Sequence, residues 1–110
     1  MKPTVTDAPS LHEIRVAVRS VCEPRENVAQ VSLFGSLARG DGRIGSDVDL
    51  LIEFIPKSNV GLFEMGSLKE DIEERLGCPV DLVSRGAVEN SRNPFRRSAI
   101  LAQLIPVYAR

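Results

Sequence analysis

Two short apolar runs, Val28 to Phe34 and Val48 to Phe54, flank a stretch dominated by glycine, serine and charged residues, and this constrains the fold more than any other feature. Each run is short and rich in Val, Leu, Ile and Phe, so each reads as a strand. The first ends on Gly35-Ser36. The second opens on Asp47 and Asp49 and is apolar on both faces beyond them, which predicts a central strand covered on both sides. Between the runs, Ser36 to Arg39 has the length of one helical turn, and Gly40, Asp41, Gly42 and Gly45 make a flexible turn.

The rest of the chain supplies elements to cover that pair. Ser10-Leu11-His12-Glu13 has the form of a capping box, and Leu11, Ile14, Val18 and Val21 follow at spacings of three and four. This predicts a helix from about Leu11 to Cys22, ended by Glu23-Pro24 because the residue before proline is pushed out of the helical region. Leu62, Met65, Leu68, Ile72 and Leu76 form the apolar stripe of a second helix, with Gly77 as its cap and Pro79 beyond. Its acidic residues, Glu64, Glu70, Glu73 and Glu74, read as a solvated face. Val80 to Val83 reads as a third strand carrying Asp81, and Arg85 to Asn93 as a polar loop. Asn93-Pro94 starts a last helix running to about Leu104, and Pro106 precedes an extended tail ending in Tyr108.

At 110 residues this order fits one domain, 10–110, behind a polar tail at 1–9 that carries two prolines. A net charge of -1 gives no bulk attraction to nucleic acid or an anionic membrane. No apolar stretch approaches the roughly 20 residues of a membrane helix, and the N-terminus has no secretory apolar segment. Cys22 and Cys78 are far apart and set among apolar neighbours, so buried reduced thiols and a cytoplasmic location are expected. The single histidine, His12, lies on a predicted helix and leaves little for a zinc site.

The chemistry concentrates at the two runs. Strand residues i and i+2 point to one side about 6.6 Å apart, so Asp47 and Asp49 can converge on a cation. Asp81 is a third carboxylate if strands two and three are neighbours with aligned starts. Such oxygens suit Mg²⁺, which keeps waters and substrate phosphates in its other positions. Gly35 lets backbone approach a phosphate, the Ser36 hydroxyl and the following N–H groups donate to it, and Arg39 adds positive charge. Singly, an Asp-x-Asp at a strand start is more often surface or cap, and Gly-Ser after a strand is more often only a turn. Their joint occurrence carries the signal.

Gly35-Ser36-x-Ala38-Arg39-Gly40 followed by Ser46-Asp47-x-Asp49-Leu50 resembles the signature of the minimal nucleotidyltransferase family, small members of the polymerase-β-type nucleotidyltransferase fold. Val80-Asp81-Leu82 falls where that family has its third carboxylate. The resemblance implies an α/β (α+β) fold, a small mixed sheet flanked by helices. It implies ATP as substrate with two Mg²⁺ ions, and transfer of AMP with release of pyrophosphate. Phosphate binding then falls to Gly35 and Ser36, with Arg39 and Ser46 beside the nucleotide. Metal binding falls to Asp47 and Asp49, and metal binding with acceptor activation to Asp81.

Many stand-alone members of the family resemble antitoxins that AMPylate a tyrosine of a HEPN-domain ribonuclease toxin. The chain's length suits that role and leaves no room for a separate acceptor-holding domain. A HEPN toxin is the expected partner, with no direct contact to nucleic acid or membrane. The competing expectation is a binding module that neutralises the partner by complex formation alone.

Overall fold

In a computed structural model, which describes residues 8–40, 47–58 and 61–110, the elements follow the order α1 (Leu11–Cys22), β1 (Val28–Phe34), α2 (Ser36–Arg39), β2 (Val48–Phe54), α3 (Leu62–Leu76), β3 (Val80–Ser84), α4 (Arg85–Glu89), α5 (Pro94–Ala102) and β4 (Ile105–Ala109). The strands form one sheet in the order β3-β2-β1-β4. β1 runs antiparallel to both β2 and β4, whereas β2 and β3 are parallel and joined through α3. The sheet is therefore mixed, and β2 is central as its apolar run predicts.

The helix boundaries follow from local chemistry. The Ser10 hydroxyl accepts from the Glu13 N–H at 3.0 Å while the Glu13 carboxylate accepts from the Ser10 N–H at 3.0 Å, completing the capping box of α1. α3 ends at Gly77, whose φ of 74° is the left-handed cap and whose N–H donates to the Glu73 carbonyl at 2.7 Å. At the other end of α1 the Arg110 guanidinium donates to the carbonyls of Cys22, Glu23 and Arg25, adding to the backbone bonds that Cys22 and Arg25 already accept in the turn after the helix.

Alternation along the strands splits the apolar residues between two faces. Val31, Leu33, Val48, Leu50, Ile52 and Val80 face one way and pack with Ile14 and Val18 of α1 and Leu68 and Ile72 of α3. On the other face Phe34 and Leu51 meet Val88 of α4 and Ile100 of α5 in a smaller cluster.

Three expectations are corrected. Arg85 to Asn93 is not wholly a loop: Arg85–Glu89 is helical, started by the Ser84 hydroxyl accepting from the Ala87 N–H at 3.2 Å. The last helix stops at Ala102, and the tail is a fourth strand, admitted beside β1 because Pro106 stands on an edge strand where a missing donor is tolerated. Cys78 is half-buried, unlike fully buried Cys22, because it stands in the connection between α3 and β3 rather than under a helix. Neither thiol is joined in a disulfide, and no described helix is long and apolar enough to cross a membrane.

Candidate active site

Asp49 and Asp81 are register partners on the parallel strands β2 and β3, so their side chains leave the same face of the sheet side by side. It is the face of the smaller apolar cluster, because Leu51 and Val83, two residues on from each aspartate, belong to that cluster. Two hydrogen bonds set this register. The Val48 N–H donates to the Pro79 carbonyl at 3.0 Å, tying the start of β2 to the approach of β3. The Val80 N–H donates to the Glu73 carboxylate at 2.9 Å, which holds β3 to the last turn of α3.

Glu73 thus does more than decorate a solvated face, and the same is true of Glu64, which accepts from the Asn27 side chain at 2.9 Å. Sequence reading passed over Glu73, although one signal was present. A carboxylate in the last turn of a helix opposes the helix dipole and is unfavourable there unless a donor compensates it.

Across β2 from Asp81, the antiparallel pairing of Phe34 with Asp49 brings Gly35 against the Asp49 carboxylate. Gly35 has φ 79° and ψ -157°, and a Cβ built there would overlap the Asp49 carboxylate oxygen. Only glycine satisfies both demands. The Ser36–Arg39 turn follows at once and is closed by the Arg39 N–H donating to the Gly35 carbonyl at 3.1 Å. Its first N–H groups have no carbonyl within so short a helix.

Asp49 is half-buried, while Asp47 and Asp81 are exposed. Burial holds the Asp49 carboxyl above its ordinary pKa; the negative charges of Asp81 and Asp47 push the same way, and Arg39 partly offsets them. The three carboxylates and Arg39 therefore share one electrostatic neighbourhood. Ser46 lies outside the described residues.

Among the described residues no group of three or more His, Cys, Asp or Glu side chains is placed to hold a metal ion by itself. The donor set nonetheless fits a hard divalent cation: the oxygens are carboxylate oxygens, the Asp49 carboxylate is seated in the room that Gly35 leaves for it, and the local excess is negative. Mg²⁺ is commonly held by one or two carboxylates plus substrate phosphates rather than by an all-protein cage.

A mixed four-stranded sheet with carboxylates on adjacent parallel strands, next to a Gly-Ser helix start, is an arrangement that a nucleotide-handling transferase can use. Comparison with known proteins agrees. The family model for the nucleotidyltransferase domain matches residues 14–106, and the chain belongs to this family. A Methanocaldococcus jannaschii protein named as a candidate protein adenylyltransferase is 32% identical over 101 residues, covering 89% of this chain and 98% of that one. A solved structure described as a candidate minimal nucleotidyltransferase superposes with a TM-score of 0.67 at 36% identity, over 89% of this chain and 96% of that one. The fold is also shared, with a TM-score of 0.63 at 14% identity, by a chain of a complex between a tri-AMPylated Shewanella oneidensis HEPN toxin and an MNT antitoxin. That match covers 91% of this chain and 73% of the other. The expected family and the expected mixed-sheet fold are thus both met.

Proposed function

We propose that this nucleotidyltransferase is a protein adenylyltransferase, moving AMP from ATP to a hydroxyl of a partner protein and thereby acting as an antitoxin. The observation that carries the reading is the in-register pair Asp49 and Asp81, with Gly35 closed against the Asp49 carboxylate. A relative named for adenylyl transfer to protein, and a shared fold with the antitoxin of an AMPylated HEPN toxin, support the choice of acceptor. The partner we propose is a HEPN toxin, with one of its tyrosines as the acceptor.

In this reading Gly35 and Ser36 receive the triphosphate through backbone N–H groups and the Ser36 hydroxyl, with Arg39 beside them. Asp47, Asp49 and Asp81 would hold Mg²⁺, which when bound supplies positive charge to the phosphate oxygens. Asp81, exposed at the start of β3, takes the proton of the acceptor hydroxyl. The freed oxygen forms a bond to the α-phosphorus, the bond from that phosphorus to the oxygen bridging to the β-phosphate breaks, and pyrophosphate leaves with the electron pair. Gly35 and the half-buried Asp49 give the transferring group a fixed position, and position and charge supply most of the catalysis in such reactions.

The test uses the chain, radiolabelled ATP, Mg²⁺ and the product of the neighbouring gene. Label should pass to that protein, and Asp47→Asn should abolish the transfer; label that never moves would sink the enzymatic reading. A second reading is neutralisation by binding alone. A variant carrying both Asp47→Asn and Asp49→Asn separates the two. Loss of protection with the complex intact requires the chemistry, and retained protection requires only binding.

A further inference from the structure

We propose that the cavity between β3, α4 and α5 is the acceptor subsite of the transferase, receiving an aromatic side chain of the acceptor protein while Arg96 and Arg97 engage carboxylates beside it. The proposal rests on the transfer reading above and deepens it. The cavity measures about 130 Å³, with an apolar floor of Val83, Val88 and Ile100 and the exposed Ala87 on its rim. A buried apolar cavity of about 150 Å³ is known to take a benzene ring, so this open cavity has room to seat a six-membered ring. Its polar edge is cationic: Arg96 is exposed, and half-buried Arg97 is steadied by donating to the Ser91 carbonyl at 3.3 Å. Guanidinium groups pair bidentately with carboxylates, as they do with phosphates, and the peptide and ATP arms of the test below tell the two apart.

The strand order places the cavity on the Asp81 flank of the carboxylates. Gly35 and Ser36, the phosphate side, follow β1, whereas the cavity lies along β3, and β2 with Asp49 stands between them. Val83 is two residues beyond Asp81 on the same face, about 6.6 Å along the strand. A ring seated on Val83 is therefore one same-face position along β3 from Asp81, the proposed proton acceptor, on the side away from the phosphates. The nucleotide approaches from one flank of the carboxylates and the acceptor from the other.

The test titrates the isotopically labelled full chain, followed by amide NMR, with acetyl-Glu-Glu-Tyr-Glu-Glu-amide. Controls are a counterpart with serine in place of tyrosine, one flanked by lysines, and separately ATP with Mg²⁺. The acidic tyrosine peptide should move the amides of Val83, Ala87, Val88 and Arg97, and each peptide control should bind about tenfold more weakly. Ala87→Phe plugs the cavity from its exposed rim; it should weaken the tyrosine peptide about tenfold while leaving the dissociation constant of ATP unchanged. Arg96→Glu should weaken the acidic peptide and strengthen the lysine-flanked one. Unmoved cavity amides overturn the proposal. Ala87→Phe weakening ATP instead also overturns it, because the cavity then holds the adenine. A wild-type chain that binds no ATP overturns the transfer reading and leaves the peptide arm readable.

Discussion

The two faces of the sheet are built for different purposes. One is closed: α1 and α3 cover it, and Ile14, Val18, Leu50, Ile52, Leu68 and Ile72 are each 1% exposed or less. The other gives its β2 and β3 positions at one end to Asp49 and Asp81 and retains only a small cluster around Phe34, Leu51, Val88 and Ile100. Like charges held together on a partly desolvated face oppose folding. The closed face must therefore carry the stability that the open face lacks, and the division lets the open face be rebuilt for chemistry without unfolding the chain.

Truncations on the two faces break or sharpen this contrast most directly. Ile72→Ala removes a side chain with no exposure from the closed face and should cost about 3–4 kcal/mol in denaturant unfolding. Ile100→Ala, at 7% exposure against a smaller cluster, should fall at the low end of the range, about 2 kcal/mol. Equal losses at the two sites would end the argument that one face holds the fold. Next in size is Asp49→Asn, which should lower AMP transfer at least about 100-fold, or about 2.7 kcal/mol of transition-state stabilisation. Its thermal midpoint should not fall, since one of three mutually repelling charges is gone. A variant that loses activity by unfolding would show the charge cluster to be structural instead.

These expectations also indicate what a sequence reveals. Ser10, Pro24, Gly77 and Asn93 mark their helix ends correctly because caps and breakers act within a few residues. Asp47, Asp49 and Asp81 were legible as a set because two lie at strand spacing and the third at the start of its own strand. The parallel register that seats Asp49 beside Asp81 depends on bonds from Pro79 and Glu73, which no local pattern displays. β4 was hidden for a similar reason. Pro106 suits a tail as well as an edge strand, and only the free edge of β1 decides between them. The clash that makes Gly35 obligatory likewise exists only once β1 and β2 have paired.

The closed face also reports on itself through Cys22. Burial raises its thiol pKa from 9.0 to about 11, with Arg25 and Arg110 pulling weakly the other way. A raised folded pKa means that the neutral thiol is favoured in the native state. Its contribution is whole below about pH 9 and is lost as pH rises from 9 toward 11, by up to about 2 kcal/mol. Urea unfolding between pH 8 and 11 should show this loss, and Cys22→Ala should remove that slope. At pH 8 an aromatic disulfide reagent should titrate half-buried Cys78 well before Cys22. Equal rates would mean that the closed face opens readily.

The smallest effect is expected at Glu73, where the two faces are joined. Its carboxylate belongs to α3 on the closed side, yet its hydrogen bond to the Val80 N–H sets the start of the strand carrying Asp81. Glu73→Gln keeps an acceptor oxygen and loses only the charge, and should cost about 0.5 kcal/mol or less. Glu73→Ala leaves the Val80 N–H without its partner and should cost about 1 kcal/mol, with faster hydrogen exchange at the Val80 amide. If Glu73 positions Asp81, Glu73→Ala should also reduce transfer while ATP binding is kept, and Glu73→Gln should restore most of it. A loss of stability with unchanged transfer would confine Glu73 to the closed face and leave the register of Asp81 to the Val48–Pro79 bond.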